Sequence, residues 1–259
     1  MPCFRLTLAY DGTGLVGWQR QRSGTSVQAL VEAALQALDG RPVTVASAGR
    51  TDAGVHALGQ VASFSLTRDI DPPTLVRALN FHLPPAVRVL DAAETDARFH
   101  ARFSARAKTY RYQIWTRGPL PPSVRAYAWH VPGPLDVEAM DRAARLLEGT
   151  HDFAAFQSVG SDVPETVRTL LSSRVHARPA ADDGWLRGLT PAAGYSVTYD
   201  VCGSGFLRHM VRAVAGTLVD IGLGRHPSSW MQTVLASRSR ARAARTAPAH
   251  GLTLVTVVY

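Results

Sequence analysis

Phe4-Arg5-Leu6-Thr7-Leu8-Ala9-Tyr10 alternates large apolar with smaller or polar residues, the period of two expected of a strand with one buried face. From Thr25 the period lengthens. Thr25 and Gln28 stand as a capping-box pair, and Val27, Leu30, Val31, Ala34, Leu35 and Leu38 recur at helical spacing as far as Gly40, which predicts an amphipathic helix. Two short strands are predicted at 43–47 and 60–65, separated by the loop from Ala48 to Ala57. Asp71 and Pro72 open a second helix through Leu79, and Val87 to Leu90 reads as another strand. The resulting order, β-α-β-β-α-β, is that of the ferredoxin-like unit.

The second half restarts with strands at 108–115 and 127–131 and a helix from Asp136 to Glu148 closed by Gly149. Strands near 173–177 and 195–201 lead to a long helix from Phe206, a shorter one from Ser228 and a last strand from Leu252 to Val258. This reads as a varied second copy of the first unit, without a sequence repeat. The stretch Arg98 to Arg106 is the expected boundary, giving domains 1–103 and 104–259. Ten basic and nine acidic residues leave +1 up to residue 103, and eighteen and eleven leave +7 beyond it, which together make the formal +8 of the chain.

A chain of 259 residues, 46% hydrophobic and 19% charged, can bury one large core or two ordinary ones, which excludes a disordered tail protein. The pI near 10.2 points to a polyanionic partner or a strongly positive surface. All cations but Lys108 are arginine. Two distant cysteines, Cys3 and Cys202, offer neither a disulfide framework nor a zinc site. No apolar run approaches the roughly 18 residues of a membrane span, and the N-terminus lacks a leader pattern, so a cytoplasmic protein is expected.

Gly12, Gly14 and Gly17 spell GxGxxG after the first strand, but seven residues, Trp18 to Gly24, precede the helical period. A dinucleotide-binding turn must open its helix at once, so these glycines are read as shaping a loop. Trp18 with Gln19, Arg20 and Arg22 suits stacking and phosphate contact on RNA; a packed Trp beside a solvated loop is an equal reading. Patterns for a nucleophilic serine elbow, a zinc protease, a P-loop or a calcium loop are lacking, as is the paired-aromatic RNA-recognition strand. Period two places Tyr110 and Tyr112 on one strand face, one to stack on a base and the other to pack in the core.

The segment Gly49-Arg50-Thr51-Asp52-Ala53-Gly54-Val55-His56-Ala57 sets Arg, Asp and His between two strands. Arg50 is placed to keep the Asp52 carboxylate ionised and oriented, while the glycines permit backbone geometry closed to other residues. From spacing alone an ordinary turn salt bridge is the weightier reading.

GRTDAGVHA, preceded by AYDGTGLVGWQRQ and followed by ALNFHLP, FHARFSARAKTYRY, GTHDFAAF, GFLRHMVR and TAPAHGLTL, resembles the tRNA pseudouridine synthase A family from Leu8 to Tyr259. The resemblance implies an α/β protein with the pseudouridine synthase fold: two ferredoxin-like halves joined through a central, mostly antiparallel sheet, with Asp52 in the cleft between them. It implies a cofactor-independent isomerase, without metal, that converts uridine to pseudouridine at positions 38, 39 and 40 of the tRNA anticodon stem-loop, and a homodimer.

Asp52 falls on the family's catalytic aspartate. One carboxylate suits the reaction, because the N1 glycosidic bond must break, the uracil must turn and C5 must bond the same ribose carbon, with a nucleophile able to hold the intermediate. Attack at ribose C1′, attack at uracil C6 and proton abstraction leading to a glycal all stay open. Tyr110 matches the active-site tyrosine expected to stack on the target base, and Arg50 the signature arginine expected to fill the space of a flipped nucleotide. Arg212 matches the arginine of the MVR block, lying with Arg208 off the apolar stripe of Phe206, Met210, Val214 and Leu218; Arg208 is read as solvated. Leu252 matches the residue lining the base pocket. Ser239 departs from the pattern, standing where the family usually carries an Asp before the arginine matched by Arg240, which puts an ion pair positioning the next loop in doubt. His56, His151 and Asp152 are read as structural hydrogen-bonding residues. A non-catalytic tRNA-binding or folding protein and a carboxylate-dependent N-glycosidase are the alternatives.

Overall fold

The computed structural model describes residues 1–158, 160, 163–179 and 194–259. The chain divides into two compact units, Met1–Lys108 with Thr253–Tyr259, and Thr109–Leu252. In the first unit the elements run β1 (Cys3–Tyr10), α1 (Val27–Asp39), β2 (Ala46–Ser47), β3 (His56–Ser65), α2 (Pro72–His82) and β4 (Val87–Thr95). That is the expected order. β1 pairs antiparallel with both β3 and β4, and β2 pairs with β3. The closing strand β10 (Leu252–Val258) runs parallel to β3, with Thr253 opposite His56.

The period of β1 becomes its burial. Phe4, Leu6, Leu8 and Tyr10 are buried, as are Val27, Val31 and Leu35 of α1 and Leu75 and Leu79 of α2. Burying such side chains is worth about 1.5–3 kcal/mol each, which is what holds short helices that are marginal alone. The cap of α1 is Ser26, whose hydroxyl accepts the Ala29 N–H, rather than Thr25. Gln28 is thereby released from a capping role and its Oε1 accepts the Arg20 N–H. Asp71 caps α2 as its position predicts, accepting the Thr74 N–H.

Two boundaries differ from expectation. Only Ala46 and Ser47 form the strand predicted at 43–47, and β3 begins at His56, four residues early. β3 is buried along nearly its whole length, so the period-two signal that marks a strand with one wet face is missing there. After β4 the chain returns across the sheet: Ala101 N–H donates to Ser63 Oγ, its carbonyl accepts the Tyr259 hydroxyl, and Arg106 N–H bonds Val258 O.

The second unit contains β5 (Ala107–Thr116, shared at its start with the first unit), β6 (Trp129–Val131), α3 (Val137–Arg145), β7 (Gly149–Asp152), β8 (Val167–Pro179), β9 (Tyr195–Gly203), α4 (Met210–Gly222) and α5 (Trp230–Ser237). Its strands lie in the order β5-β9-β8-β7, with β6 on β5. β7 has no counterpart in the sequence reading. α4 starts at Met210, because His209 holds φ 61°, so Phe206 and Arg208 precede the helix. It is buried on almost every side, with Arg212 and Asp220 the half-exposed exceptions, and the expected amphipathic stripe is an almost wholly apolar helix. No described helix is long and apolar enough to cross a membrane.

Candidate active site

Asp52 sits half-exposed in the loop between β2 and β3, and that loop is clamped from several directions. Its own turn closes with Val55 N–H on the Asp52 carbonyl. The glycine loop after β1 lies directly against it: Trp18 N–H donates to Thr51 O (3.0 Å) and Gly54 N–H to Leu15 O (3.2 Å). This approach demands glycine. A Cβ at Gly12 would lie 2.2 Å from Val55 O, and one at Gly17, where φ is +96°, would lie 2.5 Å from Thr51 O and 2.8 Å from the Asp52 carbonyl carbon.

Below the loop, a buried polar network fixes the residues before Asp52. The Tyr10 and Thr51 hydroxyls meet at 2.8 Å, and Gln60 Nε2 donates to the Gly49 carbonyl (2.8 Å) and to Tyr10 Oη (3.3 Å). Burial, partly offset by these hydrogen bonds, pushes the Tyr10 phenol up to about 12, so it works as a neutral hydroxyl. On the far side, buried His56 receives the Gly12 N–H on Nδ1 (3.0 Å), with Asp11 Oδ1 3.2 Å from the same nitrogen. His56 therefore does the structural hydrogen bonding expected of it. A partly exposed carboxylate on a backbone held this tightly suits a reaction that asks one group to meet one atom.

Arg50 is exposed, and no ion pair joins it to Asp52 among the described residues. Trp18 is packed: it is buried and tilted against Tyr10 at 6.4 Å, so its RNA-stacking reading is set aside. Neighbouring Arg20 pairs with Glu32 at 2.6 Å.

Tyr110, Arg212 and Leu252 belong to the second unit. Tyr110 is buried and meets Phe206 edge-on at 5.0 Å. Tyr112, fully buried, donates its hydroxyl to Pro248 O at 2.7 Å and is a core residue. Arg212 clasps the segment before β10: its Nε donates to Ala247 O (2.9 Å) and its own carbonyl accepts the Ala247 N–H (3.0 Å). Arg208 is exposed. Leu252 is buried at the end of that segment. At the departure, Arg240 makes no ion pair among the described residues; its guanidinium donates to Ala244 O (2.9 Å), Ala243 O (3.3 Å) and Thr246 Oγ1 (2.7 Å). Two backbone carbonyls and a hydroxyl of the following segment thus take up the guanidinium without an ion pair, in line with the doubt that Ser239 raised. Arg238 instead pairs with Asp152 at 3.0 Å, and Arg245 lies 5.2 Å over the Trp129 ring.

The sequence profile of the tRNA pseudouridine synthase family matches residues 7–104 and 143–259. Relatives include proteins named tRNA pseudouridine synthase A from Myxococcus xanthus, 46% identical over all of this chain and 92% of its own length, and from Moorella thermoacetica, 44% identical over the full length of both. A third, from Syntrophotalea carbinolica, is 43% identical over all of this chain and 97% of its own length. The chain belongs to the tRNA pseudouridine synthase family, enzymes that isomerise uridine to pseudouridine in tRNA.

Sequence reasoning missed the Tyr10–Thr51–Gln60 network. Tyr10 counted only as the last apolar residue of β1, and Gln60 as the start of a strand. Two polar groups at inward positions of paired strands were the available signal, and strand pairing was needed to join them.

Proposed function

We propose that this protein converts uridine to pseudouridine at positions 38, 39 and 40 of the tRNA anticodon stem-loop, with Asp52 as the nucleophile. The observation that carries the reading is the half-exposed carboxylate on a loop immobilised by Gly12, Gly17, Trp18, Gln60 and His56. The N1–C1′ bond breaks, the uracil turns, C5 bonds C1′, the C5 proton leaves and N1 gains one, so the reaction is a balanced isomerisation. Asp52 holds the intermediate at C1′ or C6, or takes a ribose proton on the glycal route; the reaction needs no redox partner.

Tyr110 stacks on the target base and assists removal of the C5 proton, Arg50 fills the gap left by the flipped nucleotide, Arg212 contacts the RNA substrate, and Leu252 lines the base pocket. Paired bases at 39 and 40 must leave the stack, which costs a few kcal/mol, so a firm hold on the stem is required. The segment from residue 104 onward, with its +7, supplies much of that positive surface. The working form is a cytoplasmic homodimer.

The test is tritium release from tRNA labelled at uridine C5, with wild type beside Asp52→Ala, followed by nucleoside analysis. Release by wild type alone with pseudouridine at 38–40 is the expected result. No release by either protein, across several tRNAs with uridine there, overturns the reading. Free uracil in place of pseudouridine would identify a glycosidase.

A further inference from the structure

Phe103 projects from the turn that follows β4, and it is 76% exposed. The turn is built to hold it there. Ala101 is anchored by Ser63 and Tyr259, as described above, and Tyr259 packs on Phe99 at 4.9 Å. His100 Nδ1 accepts the N–H groups of Arg102 (3.1 Å) and Phe103 (3.4 Å), while Ser104 Oγ accepts the His100 N–H (3.1 Å). The His100 ring lies 4.4 Å from the Phe103 ring and the Arg102 guanidinium 5.5 Å from it. With three quarters of the residue open to water, ring surface remains accessible beside these two neighbours.

Isolated exposed apolar residues are common and need no explanation. This one differs in its surroundings. Arg102 and Arg106 are exposed beside it in the chain, and half-buried Lys108 lies close enough to Arg102 for the two cations to repel. Burial and that neighbouring charge hold the Lys108 ammonium below the usual lysine range. No carboxylate pairs with Arg102 or Lys108 among the described residues. Crowded cations around a presented aromatic ring complement a ligand that carries both anions and flat π faces, which is single-stranded nucleic acid.

We propose that Phe103 is a stacking platform for an unpaired nucleobase of the RNA substrate, with Arg102, Arg106 and Lys108 holding the flanking phosphates. This rests on the reading of tRNA as substrate and adds a contact that the chemistry at Asp52 does not use.

The test is equilibrium binding of the full chain to an unmodified tRNA transcript over a series of salt concentrations. Phe103→Ala raises Kd about 10-fold, within the roughly 5- to 150-fold that one base–aromatic stack supplies, and Phe103→Trp restores it. Phe103→Ala leaves the slope of log Kd against log salt unchanged, whereas Arg102→Ala lowers it by about one phosphate contact. Both Phe103 variants melt within about 2 °C of wild type, because the ring is exposed. Wild-type binding with an unaltered Phe103→Ala overturns this inference alone, as does an affinity loss that Trp fails to restore. A Phe103→Ala variant that changes oligomeric state in sedimentation assigns the ring to a second copy of the chain and also overturns it. A wild type that binds no tRNA overturns the functional reading itself.

Discussion

Gly17→Ala should separate folding from turnover. A Cβ at this position falls 2.5 Å from Thr51 O, 2.8 Å from the Asp52 carbonyl carbon and 3.0 Å from Ala53 N. Ordinary contact begins near 3.4 Å, so the backbone must retreat by about 0.9 Å at Thr51 and about 0.6 Å at Asp52. The retreat also pulls on the adjoining Trp18 N–H bond to Thr51 O. Alanine at φ +96° adds strain of about 1–2 kcal/mol. A shift approaching 1 Å in a reacting group costs on the order of 100-fold in rate. Gly14 supplies the control: its φ is +77°, but a Cβ there meets nothing within 4 Å. Gly14→Ala therefore pays the strain without the push. In single-turnover tritium release at saturating tRNA, Gly17→Ala is expected to run about 100-fold slower than wild type and Gly14→Ala within a few-fold. Circular dichroism and melting should show both folded, with Gly14→Ala destabilised by about 1–2 kcal/mol and Gly17→Ala by more, because the steric push adds to the same strain. A folded Gly17→Ala protein that turns over as fast as Gly14→Ala would refute the claim that the glycine loop sets the position of Asp52.

Two further outcomes follow from the second unit. Arg240→Met removes three charge-assisted hydrogen bonds and should cost about 2 kcal/mol, a fall of about 4–8 °C in melting temperature; Ser239→Asp, restoring the family's usual residue at an exposed site, should change stability by less than about 0.5 kcal/mol. An Arg240→Met protein as stable as wild type would show that the carbonyl contacts do not hold the segment. Asp152 is held below the usual carboxylate range by the Thr166 hydroxyl at 2.6 Å, with help from the Ala154 N–H and the Arg238 guanidinium. Its native form favours the ionised state, so this contribution is present above the unfolded carboxyl's pKa and is lost as pH falls through the native value. Thr166→Val should thus be less stable than wild type at pH 7, with the gap narrowing below about pH 4; denaturant melts from pH 3 to 7 giving a constant gap would contradict the assignment.

The surface exposure of Phe103 and the packing of Trp18 show how differently two aromatics in polar stretches can end. Both follow a strand and sit beside arginines, and local sequence does not distinguish them. Trp18 is buried because the glycine loop folds back on Thr51, whereas Phe103 is left outside because Ala101, two residues before it, is the residue pinned to the sheet. α4 shows the same limit. Its polar residues hinted at a wet face, yet Arg212 turns back to the Ala247 carbonyl, and the helix is enclosed.

Burial follows the sequence period in β1, α1 and α2, so these elements, and with β4 the ferredoxin-like order of the first unit, were legible from periodicity and caps alone. The linear signature around Asp52 likewise identified the family, since its residues are consecutive. Contacts between residues far apart in the chain were decided only in the folded protein: Gly17 against Thr51 and Asp52, Gln60 under Gly49, and His56 beside Gly12. Such contacts depend on which loops the pairing of β1 with β3 brings together, and on hydrogen bonds that buried polar groups must find once water is excluded. Neither leaves a periodic trace along the chain.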